Sequence, residues 1–144
     1  MQFLINGGRS KVGKAYLKVA TVYFTIGVLA GLTMGLIHDF RFTSVHAHVN
    51  LLGWVSMALF GIIYHFYPNA ANSKLAKTQF WLHNIGVPVM LGGIALQVLG
   101  VSAALPPTII GSLAVVIGVI LFMVNVFKYV GKDSTHHSDK NVSL

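Results

Sequence analysis

The sequence contains no cysteine among its 144 residues. That absence excludes thiolate metal sites, iron–sulfur clusters, disulfides and covalently attached c-type heme. Acidic residues are almost as scarce, with 3 Asp and Glu against 10 Lys and Arg, and only 9% of the residues are charged. A soluble domain usually has about 25% charged residues, so this chain has too little charge to cover a surface in water. Paired carboxylates, a glycine-rich phosphate loop and a nucleophile with an acid partner are all missing, so acyl-transfer, phosphoryl-transfer and glycosidase chemistry have no support.

Long apolar segments occupy most of the chain, and 55% of its residues are hydrophobic. Four segments approach or exceed the roughly 20 residues that span a bilayer as a helix: residues 15–37, 43–67, 78–100 and 107–130. None alternates with the period of a strand, and the short loops favour antiparallel neighbours. The sequence therefore predicts an all-α membrane protein, a single domain of four transmembrane helices in an antiparallel bundle. A polar tail, residues 131–144, follows the last span.

The basic residues predict how these spans are oriented. Nine of the ten flank the spans on one side: Arg9, Lys11, Lys14, Lys18, Lys74, Lys77, Lys128, Lys132 and Lys140. Arg41 alone falls on the other side, so both termini are expected in the cytoplasm and the protein in the cytoplasmic (inner) membrane of a bacterium. The first segment is expected to be a retained span rather than a cleaved signal peptide, because its apolar core is too long. The net charge of +7 forms no continuous stripe, so no nucleic-acid partner is expected.

Glycines repeat at helical spacing in two of the spans. They are Gly27, Gly31 and Gly35 in the first span, and Gly86, Gly93 and Gly100 in the third. Small residues let helix backbones approach closely in lipid. Two interpretations remain open, contacts inside the bundle or the face of a homodimer, and the first is preferred because four helices already need such contacts.

Four of the seven histidines fall in or beside the spans. His46 and His48 begin the second span, His65 ends it, and His83 is near the start of the third. Since His46 and His65 are separated by about 28 Å along a helix, two clusters are expected: His46 with His48 toward the outer surface, and His65 with His83 toward the inner one. Ionisable residues in a membrane span indicate function by default, although an interfacial histidine can also reach water from the end of a span.

The direction of each side chain narrows the choice of ligand. At about 100° per residue, His46, Asn50 and Gly53 share one stripe of the helix. This stripe offers a ligand, a hydrogen-bonding amide and a glycine over which a flat cofactor could lie. His48 is rotated by about 200° from His46, so at most one of the two is expected to bind a cofactor inside the bundle. Two amides in other spans are either partners of such a site or helix-contacting groups: Gln97 and Asn125.

The second span is similar to a known helix. The string VHAHVNLLGWVSMALFGIIYHFYP resembles the second transmembrane helix of subunit I in the heme-copper oxidase superfamily, and it is nearest to the C-type oxidase and nitric oxide reductase branch. The matching residues are the histidine that opens the helix, Gly53, Ala58, Leu59, Gly61, Tyr64 and Pro68. FWLHNIG in the third span is similar to a segment of small relatives. The resemblance implies that His46 is an axial ligand of a low-spin heme near the extracytoplasmic side.

The resemblance does not supply a complete reaction centre, because in the large enzymes the other heme and copper ligands come from later helices. A membrane-bound heme b protein is therefore expected, acting in electron transfer or in binding O2 or NO. Its expected partner is quinol or a respiratory redox protein. His46 is the first choice as iron ligand, ahead of His83, His65 and His48. Two alternatives stay open: a cofactor-free accessory subunit of a respiratory complex, and a histidine-based copper protein.

Overall fold

The computed structural model describes residues 11–130, so residues 1–10 and the polar tail 131–144 lie outside it. Four long helices make up the fold: α1 (Lys11–Ile37), α2 (Thr43–Phe66), α3 (Lys74–Val98) and α4 (Leu105–Tyr129). Helical turns at Pro68–Ala71 and Ser102–Ala104 join them. Each long helix is apolar enough and long enough to cross a membrane. Within residues 11–130, the prediction of an all-helical fold with four helices long and apolar enough to span a membrane is confirmed.

Three of the helices begin earlier than the apolar segments that predict them. The largest practical difference is in α3, which starts at Lys74 rather than at residue 78. Ser73 caps this helix, since its Oγ accepts a hydrogen bond of 3.0 Å from the backbone N–H of Ala76. Hydropathy marks only the lipid-facing part of a helix, whereas backbone hydrogen bonding continues through polar residues. His83 consequently lies nine residues into α3, about 14 Å from its first residue.

Helices α1 and α3 are each followed by a residue whose backbone is in the left-handed region. His38 has a φ of 54°, and the following N–H, that of Asp39, donates to the carbonyl of Met34 at 3.2 Å. Gly100 has a φ of 86° at the matching position of α3. This arrangement satisfies carbonyls that the end of a helix leaves without partners. Glycine adopts it without steric cost, whereas histidine does so less readily.

Helix α1 packs closely against α2 through glycine. A Cβ atom added at Gly27 would lie 2.5 Å from Oδ1 of Asn50, and one at Gly31 would lie 2.9 Å from Cε1 of His46. A Cβ added at Gly35 would have no atom within 4 Å. Two of the three regularly spaced glycines of α1 therefore serve contacts inside the chain, which is the preferred interpretation of that pattern.

Helices α3 and α4 form a second close pair. A Cβ atom at Gly86 would lie 2.9 Å from the carbonyl oxygen of Gly111, and one at Gly93 would meet the backbone of Thr108 at 2.9 Å. Gln97 joins the same pair, because its Nε2 donates to Oγ1 of Thr108 at 2.6 Å. Of the two roles predicted for Gln97, the structure shows the helix contact.

An aromatic core lies between the two helix pairs. The ring of Tyr16 in α1 contacts those of Phe60 and Phe80, with centroid distances of 5.5 and 4.9 Å. Phe60 in turn contacts Phe122 of α4 at 4.5 Å. These large side chains fill the space between the helix pairs, where small residues would leave cavities.

Residues Val49–Val55 of α2 form a π-helix rather than the regular α-helix assumed from the sequence. Hydrogen bonds in this segment span five residues, and segments of this kind are often found at functional sites. Side chains supply additional partners for its carbonyls: Oγ of Ser56 donates to Leu51 at 2.7 Å, and Nε2 of His83 donates to Leu52 at 3.1 Å. The π segment begins directly after His48, in the first part of α2.

Candidate functional site

His48 has the hydrogen bond that a metal-binding histidine usually needs. Its Nδ1–H donates to the carbonyl of Ser44 at 2.7 Å, within the first turn of α2. This bond places the ring proton on Nδ1, so the lone pair of Nε2 is available to a ligand. The residue is half-buried. Ring orientation and tautomer are therefore both set by the backbone.

His46 has a different environment, because its ring lies in the contact between α1 and α2. Cε1 is the atom nearest to the position of a Cβ on Gly31. The Nδ1 atom lies 3.4 Å from Nδ2 of Asn50, and that amide nitrogen also donates to the His46 carbonyl at 2.8 Å. An amide N–H facing Nδ1 leaves the ring proton of a neutral imidazole on Nε2. This tautomer is the opposite of the one that presents Nε2 to a metal.

The stripe predicted below His46 is a surface for helix packing. Gly53 is buried, and a Cβ atom added there would lie 2.5 Å from ring atoms of Tyr23. A Cβ atom added at Gly61 would lie 2.8 Å from Cγ of Leu17 in α1. The space over which a flat cofactor was expected to lie is thus filled by α1. A cofactor on this side of α2 would require α1 to move away.

The opposite side of α2 is apolar and open. His48 begins this side, and the residues below it are exposed: Val55 by 41%, Leu59 by 52% and Phe66 by 65%. In a membrane-spanning helix such a surface faces lipid, another helix or a hydrophobic group. The end of this surface at His48 therefore combines an available imidazole nitrogen with an apolar wall.

His65 and His83, which the sequence predicts as an inner cluster, differ in burial and in their neighbours. His65 is exposed, with its ring 5.7 Å from that of Phe66. His83 has no exposed surface, and its ring lies edge-on to Phe60 at 5.2 Å. Because α3 begins at Lys74 and not at residue 78, His83 is carried to the middle of the bundle, opposite the π segment. The two histidines have different surroundings, and a shared inner site for them stays a prediction.

Buried polar side chains form a cluster that the histidine pattern did not reveal. Tyr64, Gln79 and Asn125 have no exposed surface and hydrogen-bond to one another, and Ser73 joins them. Of these, the sequence indicated Asn125 as a partner of a site or a helix-contacting group and Tyr64 as one of the residues of the family resemblance, but it did not indicate Ser73 or Gln79. One signal was available: polar residues at four-residue spacing, Gln79 and His83, on a helix that must bury one face.

The ligand set limits which metal sites are feasible. Within residues 11–130, no three His, Asp or Glu side chains come together in a way that could hold an ion. A non-heme copper centre needs several protein ligands, whereas a heme iron takes four of its ligands from the porphyrin and one or two from protein. A lone imidazole nitrogen such as Nε2 of His48 therefore suits heme better than a bare ion.

Four apolar helices with buried histidine and polar side chains define a multi-pass helical membrane protein. Residues 35–112, more than half of the chain, match the family described as Cytochrome C and Quinol oxidase polypeptide I. The chain belongs to this family, which confirms the resemblance to oxidase subunit I. The match covers the end of α1, all of α2 and α3, and the beginning of α4.

A curated relative agrees with this assignment. The chain is 28% identical over 91 residues to the Cbb3-type cytochrome c oxidase subunit CcoN1 of Stutzerimonas stutzeri. The matched region is 55% of this chain but only 19% of the relative, so the chain spans about a fifth of the length of that protein. No solved structure matches the chain.

Proposed function

We propose that this protein binds heme b non-covalently through Nε2 of His48. The observation that carries the proposal is the 2.7 Å hydrogen bond from His48 Nδ1–H to the Ser44 carbonyl, because it holds the imidazole in the tautomer that iron requires. Membership of the oxidase subunit I family supports heme as the group. His46 was the first choice from the sequence, but its contacts with Gly31 and Asn50 favour a role in helix packing.

The chain's own residues would hold the heme in two ways. His48 would bind the iron through Nε2, and the exposed apolar side chains of Val55 and Leu59 would lie against the hydrophobic ring. A heme held there would supply either one-electron transfer or a site for a diatomic gas.

The position of such a heme fits a respiratory role. The basic residues Lys74 and Lys77 lie at the end of the bundle opposite to His48, which supports the cytoplasmic placement of that loop and of both termini. Contacts of Gly93 with Thr108, and of Gly118 with His83, support an antiparallel arrangement of α3 and α4. In a bacterial cytoplasmic membrane, His48 would then face an electron donor on the outer side, such as quinol or a redox protein. Gly35, which has open space around it, is available for a homodimer contact.

The test is an optical spectrum of the detergent-purified protein, oxidised and then reduced with dithionite, after expression with ample heme. We expect a Soret band and sharp bands on reduction, with pyridine hemochrome giving about one b-type heme per chain. His48→Ala should lose the heme, and His46→Ala should retain it. His65→Ala is the matched control, since His65 is also a histidine of α2 but lies at its other end.

Three results would contradict the proposal in distinguishable ways. Loss of heme in His46→Ala with retention in His48→Ala would return the ligand to the sequence-based choice. Copper in stoichiometric amount without porphyrin would indicate a metal-handling protein. Neither metal nor heme in the wild-type protein would favour a cofactor-free accessory subunit of a respiratory complex.

A further inference from the structure

A chain of buried hydrogen bonds runs through the molecule from the turn before α3. Oγ of Ser73 donates to Oδ1 of Asn125 at 3.0 Å, and Nδ2 of Asn125 donates to Oη of Tyr64 at 3.0 Å. Oη of Tyr64 then donates to Oε1 of Gln79 at 2.8 Å. Each group donates to the next in the same direction. Hydrogen bonds aligned in this way polarise and strengthen one another in a medium of low dielectric constant.

The chain of hydrogen bonds stops at Gln79 and resumes at His83. Nε2 of Gln79 would be the next donor in this chain of hydrogen bonds, but it is buried without a hydrogen-bond partner. Nδ1 of His83 is also buried without one. On the far side of the same imidazole, Nε2 of His83 donates to the carbonyl of Leu52 at 3.1 Å. The direction of donation is therefore the same on both sides of the gap.

The unpartnered atoms are complementary in chemistry. A backbone carbonyl only accepts, so the bond to Leu52 places the ring proton of a neutral His83 on Nε2 and leaves Nδ1 as an acceptor. Nε2 of Gln79 is only a donor. The hydroxyl of Tyr16, the third buried atom without a partner, can both donate and accept. One donor, one acceptor and one hydroxyl match the hydrogen-bonding capacity of a single water molecule, which makes about three bonds when buried.

The three groups are also close together. Gln79 and His83 are four residues apart on α3, so their side chains leave the same face of the helix. Tyr16 and His83 both pack edge-on against Phe60, with centroid distances of 5.5 and 5.2 Å. The Tyr16 side chain lies beside that of Gln79. Leaving three buried polar atoms unsatisfied would be costly, and internal water is the usual partner of such groups.

We infer that Tyr16, Gln79 and His83 bind one internal water molecule at the centre of the bundle. The water accepts from Gln79 and donates to Nδ1 of His83, with Tyr16 as its third partner. It completes a polarised chain from Ser73 to the Leu52 carbonyl in the π segment. His83 is thereby assigned a positioning role on the π segment rather than the iron ligation expected from sequence. This inference does not depend on the proposed function, because none of its groups touches His48.

The test is magnetisation transfer from water in uniformly 13C,15N-labelled full-length protein in lipid nanodiscs at neutral pH. We expect cross-peaks from a long-lived water to the side-chain amide of Gln79 and to the imidazole of His83. The 15N shifts of His83, assigned by their loss in His83→Gln, should show a neutral ring protonated on Nε2.

Tyr16→Phe removes one partner of the water and keeps the ring in the aromatic core. The residence time of the water should shorten by about fivefold, as expected when one of its hydrogen bonds is lost. Tyr23→Phe, on the same helix but over Gly53, is the matched control and should leave the cross-peaks unchanged. An absent water cross-peak at Gln79, an Nδ1-protonated His83, or binding of iron by His83 in heme-loaded protein would each overturn the inference.

Discussion

The Asp39–Arg41 pair shows how a single side chain is tuned in the loop between α1 and α2. Arg41 Nη2 lies 2.6 Å from Oδ2 of Asp39. Hydrogen bonds from the guanidinium, and from the backbone N–H of Arg41, lower the pKa of Asp39 to about 2. Because the pKa is lowered, the pair stabilises the loop above the ordinary carboxyl value, near 4. This stabilisation is lost only as the pH falls from there through about 2.

Arg41→Gln should therefore raise the pKa of Asp39 from about 2 toward its usual value of 3.8. The rise will be incomplete, since the backbone donor remains. The carboxyl 13C shift of Asp39, followed by NMR as a function of pH, measures this change. Lys77→Gln, which removes a positive charge from the other loop, should leave the titration of Asp39 where it is. An Asp39 pKa that does not respond to Arg41→Gln would exclude the ion pair in the membrane-bound protein.

At the scale of the helices, α3 and α4 are held together by close contact between their backbones. A Cβ atom on Gly111 would lie 2.5 Å from the backbone nitrogen of Met90. Since backbone atoms cannot swing aside as a flexible side chain does, the helices would have to separate. Gly111→Ala should therefore destabilise the protein by about 2 kcal/mol, measured by unfolding in mixed detergent and SDS micelles.

Gly92→Ala is the control for that measurement, because it lies on the same pair of helices and a Cβ there would have no atom within 4 Å. Alanine has the higher helix propensity, so this variant should be unchanged or more stable by up to about 1 kcal/mol. Equal destabilisation by both variants would mean that the α3–α4 contact differs from the one described.

Hydrogen bonds centred on Tyr64 connect α2 with α3 and α4. Its hydroxyl accepts from Asn125 and donates to Gln79. Tyr64→Phe keeps the ring and leaves Oε1 of Gln79 without its donor, and Nδ2 of Asn125 retains only its bond to the Ala70 carbonyl. The loss of stability should therefore be about 1–3 kcal/mol. Thermal unfolding in detergent measures it, with Tyr129→Phe at the end of α4 as a comparison. A Tyr64→Phe protein as stable as wild type would show that the network contributes nothing.

At the scale of the whole molecule, orientation in the membrane can be tested directly because the sequence has no cysteine. A single introduced cysteine is then the only thiol. Asn72→Cys should resist a membrane-impermeant maleimide in intact cells, since the loop with Lys74 and Lys77 is proposed to face the cytoplasm. Thr43→Cys, beside Arg41, should react. Labelling of Asn72→Cys from outside would invert the topology.

The sequence anticipated the helices well and the site only in part. Long apolar runs identify spans because the bilayer admits few other structures, and α2 matched its prediction to within one residue of 43–67. The side of α2 that carries His46 was predicted to bind a cofactor. A regular helical period does not distinguish a side covered by a cofactor from one covered by another helix. The preference for His46 over His48 came from that pattern and from the resemblance, and the structure supplies the hydrogen bonds that favour the other residue.

The sequence by itself determined two properties of this protein. Too few charges for water and four apolar spans indicate lipid surroundings, and a second helix similar to that of oxidase subunit I indicates the family. Both follow from composition and from short strings of residues, which need no packing to be meaningful. The tertiary structure alone decided that α1 fills the space beside Gly53, that His83 is buried opposite Leu52, and that Tyr64 joins Gln79 to Asn125. These relations depend on how helices distant in sequence are turned toward one another. That rotation is set by close glycine contacts and buried hydrogen bonds, which hydropathy does not record.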